Sequence, residues 1–164
     1  MMSLLLPARR RPRLPLQVYA DGHVFFITIA TAFRGPWFER SPSLAGHLEG
    51  IIEDTAAERD ALLYAWCIMP EHCHLLVQDY NLVAFVRLVK GRTTPMARHI
   101  LPRGVPLWQK SFYDHAVRRD ESLCAIARYV FENPVRRGIA ASPGSYRWSG
   151  SNVWPDWEHL FGRG

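Results

Sequence analysis

The chain has 164 residues, 48% of them apolar, with a formal net charge of +5 and a pI of about 9.4. Such a length and apolar fraction suit one domain with its own core, and exclude both a disordered chain and two full-sized domains. Arginine supplies 18 of the 20 basic residues; its planar fork suits bidentate contact with phosphate, so nucleic acid is one expected partner and a bias in codon use is the plainer explanation. Cys67, Cys73 and Cys124 are odd in number and include no CxxC pair, which argues against a disulfide framework or a Cys-rich zinc site. No apolar run approaches the roughly 20 residues of a membrane span. In Met1 to Leu6 the charges follow the apolar stretch, the wrong order for a secretory signal, so the expected compartment is the cytoplasm.

Residues 1–16 carry Arg9-Arg10-Arg11-Pro12-Arg13 between prolines and read as an extended basic arm, either a solvated tail or a phosphate-tracking segment. His23 to Phe33 is rich in β-branched and aromatic residues and predicts a strand, ended by Gly35 and Pro36. Ser41 or Ser43 caps a predicted helix to about Arg59, with Leu44, Leu48, Ile51 and Ile52 on one face. Ala61 to Met69 reads as a buried strand. Pro70 and Glu71 make a tight connection to a second strand, His72 to Gln78. Asn81 caps a helix with Leu82, Phe85, Val86 and Val89 as its apolar set; Pro95 falls inside the pattern, and Pro102 and Gly104 close it. Leu107 to Val117 predicts a fourth strand. Asp120 caps a last clear helix, predicted to stop at Asn133 because Pro134 follows. From Ser142 to residue 164 the chain is rich in Gly, Ser, Pro and Trp and reads as a C-terminal wrap.

The order βαββαβα predicts an α+β, ferredoxin-like sandwich with a four-stranded, mostly antiparallel sheet and helices packed on it. His72 and His74 then share one strand face, about 7 Å apart, while Cys73, Leu75 and Val77 turn to the other. Two imidazoles so placed can reach one metal ion, although two histidines on a strand face are more often structural or merely exposed. On the last helix, Leu123, Ile126, Ala127 and Val130 form the buried stripe. Tyr129 lies roughly 110° from its centre and Asn133 roughly 70°, on the same side. Both occupy the shoulder between core and solvent and are neighbours at i, i+4. That is where a reactive phenol and an amide ligand can face a cleft. The plainer reading is an amphipathic edge residue and a helix terminator.

Met69-Pro70-Glu71-His72-Cys73-His74-Leu75-Leu76-Val77 resembles the His-hydrophobic-His block of the HUH single-tyrosine transposases. Two later blocks, Trp108 to His115 and Tyr129 to Gly138, resemble those of the REP-associated tyrosine transposases. The resemblance runs from about His23 to Trp148, with the blocks in matching order, so the domain is read as 17–141. Two positions depart from the pattern: Glu71 stands where Asn is expected, and Cys73 where an aliphatic is expected. The resemblance implies that His72 and His74 bind Mg²⁺ or Mn²⁺, with Asn133 as third ligand, and that Tyr129 attacks a phosphodiester of single-stranded or hairpin DNA. The products would be a 5′-phosphotyrosine and a free 3′-OH, and rejoining would need no nucleotide. A nucleoid-associated monomer or homodimer follows.

Other residues are weaker candidates. Arg118, Arg119, Arg136 and Arg137 bracket the tyrosine helix and are candidate phosphate contacts, as are Arg87, Lys90 and Arg92 on the helix before it. Tyr113 and His115 share a strand face and read as packing or DNA contact. Two rival readings stay open: a catalytically silent hairpin-DNA binder derived from a transposase, and a small metal-dependent hydrolase unrelated to DNA. The silent binder would usually have lost a histidine or the tyrosine, and the hydrolase would not need Tyr129.

Overall fold

The computed structural model describes residues 22–161, so the basic arm expected at 1–16 lies outside the described residues. Five strands form one antiparallel sheet. β1 is Val24–Ala30, β2 Leu62–Met69, β3 His72–Gln78, β4 Tyr113–Ala116 and β5 Ser149–Gly150, in the spatial order β4-β1-β3-β2-β5. The helices are α1 Trp37–Arg40, α2 Pro42–Glu58, α3 Leu82–Ala97, α4 Leu123–Arg136 and α5 Trp157–Phe161. The α+β class is as expected, with one strand more than the four predicted. β5 comes from the segment read as a C-terminal wrap: it pairs with Trp66 and Cys67 of β2, and Asn152 Oδ1 accepts from Leu63 N at 2.8 Å. Two residues leave no periodicity to read, but they cover an otherwise open sheet edge. The close approach needs a glycine, because a Cβ at Gly150 would stand 2.2 Å from the Trp66 ring.

Strand alternation divides the core in two. Phe25, Ile27, Ile29, Cys73, Leu75 and Val77 point to one face, where Leu44, Leu48 and Ile52 of α2 and Phe85, Val86 and Val89 of α3 cover them. Phe26, Cys67, Met69 and Leu76 point to the other, covered by Ala127, Val130 and Phe131 of α4 and by Trp157 and Phe161 of α5. The tyrosine-bearing helix therefore lies on the histidine face. Among the described residues, no helix is long and apolar enough to cross a membrane.

Three predicted boundaries move, each for a local reason. β1 stops at Ala30 because Phe33 and Arg34 take φ of 56° and 55°. β4 is shorter than Leu107 to Val117. Gln109 N still donates to Ala30 O at 2.9 Å, but Lys90 Nζ reaches the Gln109 and Ser111 carbonyls, at 2.8 and 3.1 Å, and the ladder resumes only at Tyr113. α4 is capped by Ser122, not Asp120, since Glu121 turns back onto Arg118 N at 2.7 Å. It also runs through Pro134 to Arg136 rather than stopping at Asn133. An interior proline costs about 3 kcal/mol, but Val130, Phe131 and Pro134 are all buried on this helix. The end comes at Gly138, φ 68°, with Ile139 N on Pro134 O and Gly138 N on Val135 O.

One ion pair ties these layers together. Arg59, at the end of α2, donates through Nε and Nη2 to both oxygens of Asp79, each at 2.7 Å, and Asn81 N donates to the same carboxylate at 2.6 Å. The Asp79 side chain is only 1% exposed. Asp79→Ala leaves the guanidinium and an amide without their acceptor and is expected to cost about 2–4 kcal/mol. Urea denaturation checks this; a loss below about 1 kcal/mol would mean that the pair behaves as a surface contact.

Candidate functional site

The register of β1, β2 and β3 assembles the site. Thr28 of β1 and Cys67 of β2 stand opposite His74, and Ala30 and Met69 stand opposite His72. Both histidines are on the central strand, 4% and 5% exposed, and face the same way. Their Nε2 atoms meet at 3.0 Å. Each outer nitrogen has its own partner: His72 Nδ1 lies 3.1 Å from Glu71 Oε1, and His74 Nδ1 lies 2.8 Å from Thr28 Oγ1. Burial, then His72, then the Arg34 charge hold the His74 imidazole well below its usual basicity, so it is neutral with a lone pair to offer.

Glu71 extends this chain to the tyrosine helix. Arg137 Nη1 donates to Glu71 Oε1 at 2.7 Å. The hydrogen bond with His72, with Arg137 adding to it, holds the Glu71 carboxyl down at about 2. Glu71 is thus ionised and ties the C-cap of α4 to the first residue of β3. Tyr129 of α4 packs over this face beside His74. Its ring centroid is 6.2 Å from that of His74 and 5.9 Å, edge-on, from that of Phe26, which itself stacks on His74 at 5.3 Å. The Arg136 guanidinium sits 4.9 Å from the Tyr129 ring centroid and pairs with Glu132 at 2.9 Å.

Asn133 is buried one turn beyond Tyr129, and its Nδ2 donates to the Tyr129 carbonyl at 2.8 Å. That commits the amide nitrogen and leaves Oδ1 as the atom able to ligate. Among the described residues, no group of three or more His, Cys, Asp and Glu side chains is arranged to hold an ion. A metal on this histidine pair therefore needs a ligand of another type.

The structure brings His72, His74 and Tyr129 together, with Asn133 and Arg136 on the same helix and Arg137 at its C-cap. The other candidates are placed differently. Tyr113 is opposite Thr28 and packs edge-on against Phe26 at 6.3 Å. His115 Nε2 is 2.9 Å from both Glu121 oxygens. Arg118 and Arg119 are exposed on the turn before α4, and Arg87 is exposed on α3. Lys90 is spent on the two loop carbonyls, and Arg92 on Thr55 and Glu58. The thiols of Cys67 and Cys73 are buried and pushed up to about 12 by desolvation, which makes them inert.

Sequence reasoning missed Thr28, Phe26 and the Phe33-Arg34 turn, and took Glu71 only as a departure from a pattern. Alternation in β1 puts Phe26 and Thr28 on one face, but only the register shows that they adjoin His74. The turn had no local signal, because L-residues rarely adopt positive φ; each costs about 1–2 kcal/mol there.

Residues 22–133 match the family described as transposase, IS200 like. A Haemophilus influenzae protein named as a REP-associated tyrosine transposase is 31% identical over 91 residues, covering 45% of this chain and 49% of its own length, so the match spans about half of that relative. Among solved structures, a REP-associated tyrosine transposase bound to a REP hairpin superposes with a TM-score of 0.65 at 21% identity, covering 88% of this chain and 82% of that one. A transposase from Deinococcus radiodurans R1 superposes with a TM-score of 0.50 at 23% identity, covering 72% and 92%. Both share the fold.

Proposed function

This chain belongs to the IS200-like transposase family, and on that premise we propose that it nicks and rejoins single-stranded DNA beside a hairpin, with Tyr129 as nucleophile. The observation that carries the reading is the placement of Tyr129, 6.2 Å ring to ring from His74, although 55 residues separate them in sequence. The Tyr129 Oη attacks phosphorus, the P–O3′ bond breaks, and the DNA is left as a 5′-phosphotyrosine with a free 3′-OH. Attack by a 3′-OH on the phosphotyrosine runs the same exchange backwards. Covalent capture conserves the bond and divides one hard step into two easier ones.

The donor set fits a divalent ion. Converging Nε2 atoms, with outer nitrogens held by a carboxylate and a hydroxyl, are how metal-binding histidines are oriented. His72, His74 and the Asn133 amide oxygen would hold Mg²⁺ or Mn²⁺, which when bound offsets charge on the non-bridging oxygens. Glu71 and Thr28 orient the imidazoles. Glu71→Ala is therefore expected to weaken Mn²⁺ binding by about 10- to 100-fold, read by calorimetry; unchanged affinity would mean that Glu71 serves only Arg137.

Hairpin DNA is the favoured partner: the H. influenzae relative is named as REP-associated, and one structural neighbour is bound to a REP hairpin. Arg118, Arg119 and Arg136 are exposed around α4 and suit phosphate. Hairpins with a single-stranded flank should bind better than plain duplex of equal length. Their affinity should fall about tenfold or more between roughly 50 and 200 mM salt. Equal cleavage of duplex and single strand would defeat this. The deciding test is incubation of the full chain with flanked hairpin oligonucleotides and Mn²⁺. A covalent protein–DNA band on a denaturing gel is expected. Binding without any band would leave a silent hairpin-binding protein.

A further inference from the structure

The turn after β1 presents an aromatic ring to solvent on a rigid mount. Phe33 is 86% exposed, more than any other large apolar residue described, and it stands at φ 56° beside Arg34 at φ 55°. This exposure does not come from a loose loop. Thr31 N donates to Glu71 O at 3.0 Å, Ala32 N to Leu107 O at 2.8 Å, Gly35 N to Ala32 O at 3.2 Å and Phe38 N to Pro70 O at 3.1 Å. Thr31 Oγ1 lies 2.8 Å from the Gly35 carbonyl and 3.0 Å from that of Glu71. The turn is thus fastened to the Pro70-Glu71 connection from which His72 emerges. Ala30, three residues before Phe33, is the cross-strand partner of His72. Arg34 is exposed as well.

We infer that Phe33 and Arg34 form a subsite for an unpaired nucleotide flanking the cleaved phosphodiester, Phe33 stacking on its base and Arg34 pairing with its phosphate. The inference rests on the proposed DNA-processing role and adds a reader of the single strand that the histidine–tyrosine centre lacks. An exposed ring and an exposed guanidinium on adjacent residues match the two repeating groups of single-stranded nucleic acid, a π-face and an anion, and stacking of this kind tolerates any base. Strained, over-determined backbone is where ligand contacts are held ready. A buried apolar partner is the poorer match, because the residue after the ring is a cation that such a partner would desolvate.

The test is binding in EDTA, so that no cleavage is required. The probes are a blunt hairpin and the same hairpin with a single-stranded flank of about ten nucleotides, carrying 2-aminopurine at successive positions. Phe33→Ala should lose about tenfold in affinity for the flanked hairpin and nothing for the blunt one. It should also remove the quenching of one 2-aminopurine position, and Phe33→Trp should restore both. Arg34→Ala should weaken the flanked hairpin alone and flatten its salt dependence. Circular dichroism should be unchanged in every variant, since Phe33 lies outside the core. Equal binding by Phe33→Ala and wild type would overturn the subsite, as would equal losses on both probes. So would a shift of Phe33→Ala from dimer to monomer in sedimentation, which would make the ring a contact between two copies. A wild type that binds the flank but never forms an adduct with Mn²⁺ overturns the proposed nicking activity instead, and leaves the subsite standing.

Discussion

Tyr129→Phe is expected to lower cleavage on the order of a thousandfold or more and to eliminate the covalent adduct, while hairpin affinity stays within about twofold of wild type. Only one oxygen is removed. The ring keeps its edge contact with Phe26, its place beside His74 and its cover by Arg136, so folding should not change measurably. The competing nucleophiles are poorly placed. Tyr146 Oη donates to the Ile68 carbonyl at 2.7 Å, and burial pushes its phenol upward. Tyr64 Oη donates to Gln78 at 3.1 Å. Tyr80 is 75% exposed at the turn after β3. Tyr113 is the serious rival, because it too packs edge-on against Phe26 and lies in the same sheet row as His74. Peptide mapping of the trapped adduct separates the two. DNA on Tyr113, or cutting by Tyr129→Phe, would sink the assignment.

His72→Ala and His74→Ala form the second large effect. Each should abolish detectable Mn²⁺ binding and reduce cleavage by several orders of magnitude. Simple surface ligands would leave stability untouched, but these two are buried. His74→Ala strips Thr28 Oγ1 of its partner and Phe26 of a stacked ring, so a loss of about 1–3 kcal/mol is expected. His72→Ala unties Glu71, which still keeps Arg137. Calorimetric titration with Mn²⁺ checks the first effect, and thermal denaturation the second. The metal assignment fails if the double variant binds Mn²⁺ as tightly as wild type.

Element identity was readable wherever a period ran long enough. The strands read at Ala61 to Met69 and His72 to Gln78 form within one residue of those bounds, the apolar stripes of α2 and α3 stand where the sequence put them, and of the two cap candidates Ser41 and Ser43 it is Ser41 that caps α2. Boundaries were not readable where a side chain from elsewhere intervened. Lys90 shortens β4, Glu121 moves the cap of α4 to Ser122, and packing around Pro134 carries that helix past a residue that normally ends one.

By itself the sequence determined that His72 and His74 share a face opposite Cys73, and that Tyr129 and Asn133 share a helix shoulder, because both follow from fixed periods of two and 3.6 residues. Only the tertiary structure decided that these two faces meet. That depends on strand register and on which side of the sheet α4 packs, neither of which has a local signal. The same holds for the hydrogen-bonded chain from Arg137 through Glu71, His72 and His74 to Thr28, whose five members come from two strands, the turn between β2 and β3 and the C-cap of α4. It holds too for β5, where two residues become a strand because the edge of β2 supplies the hydrogen bonds that the segment cannot make alone.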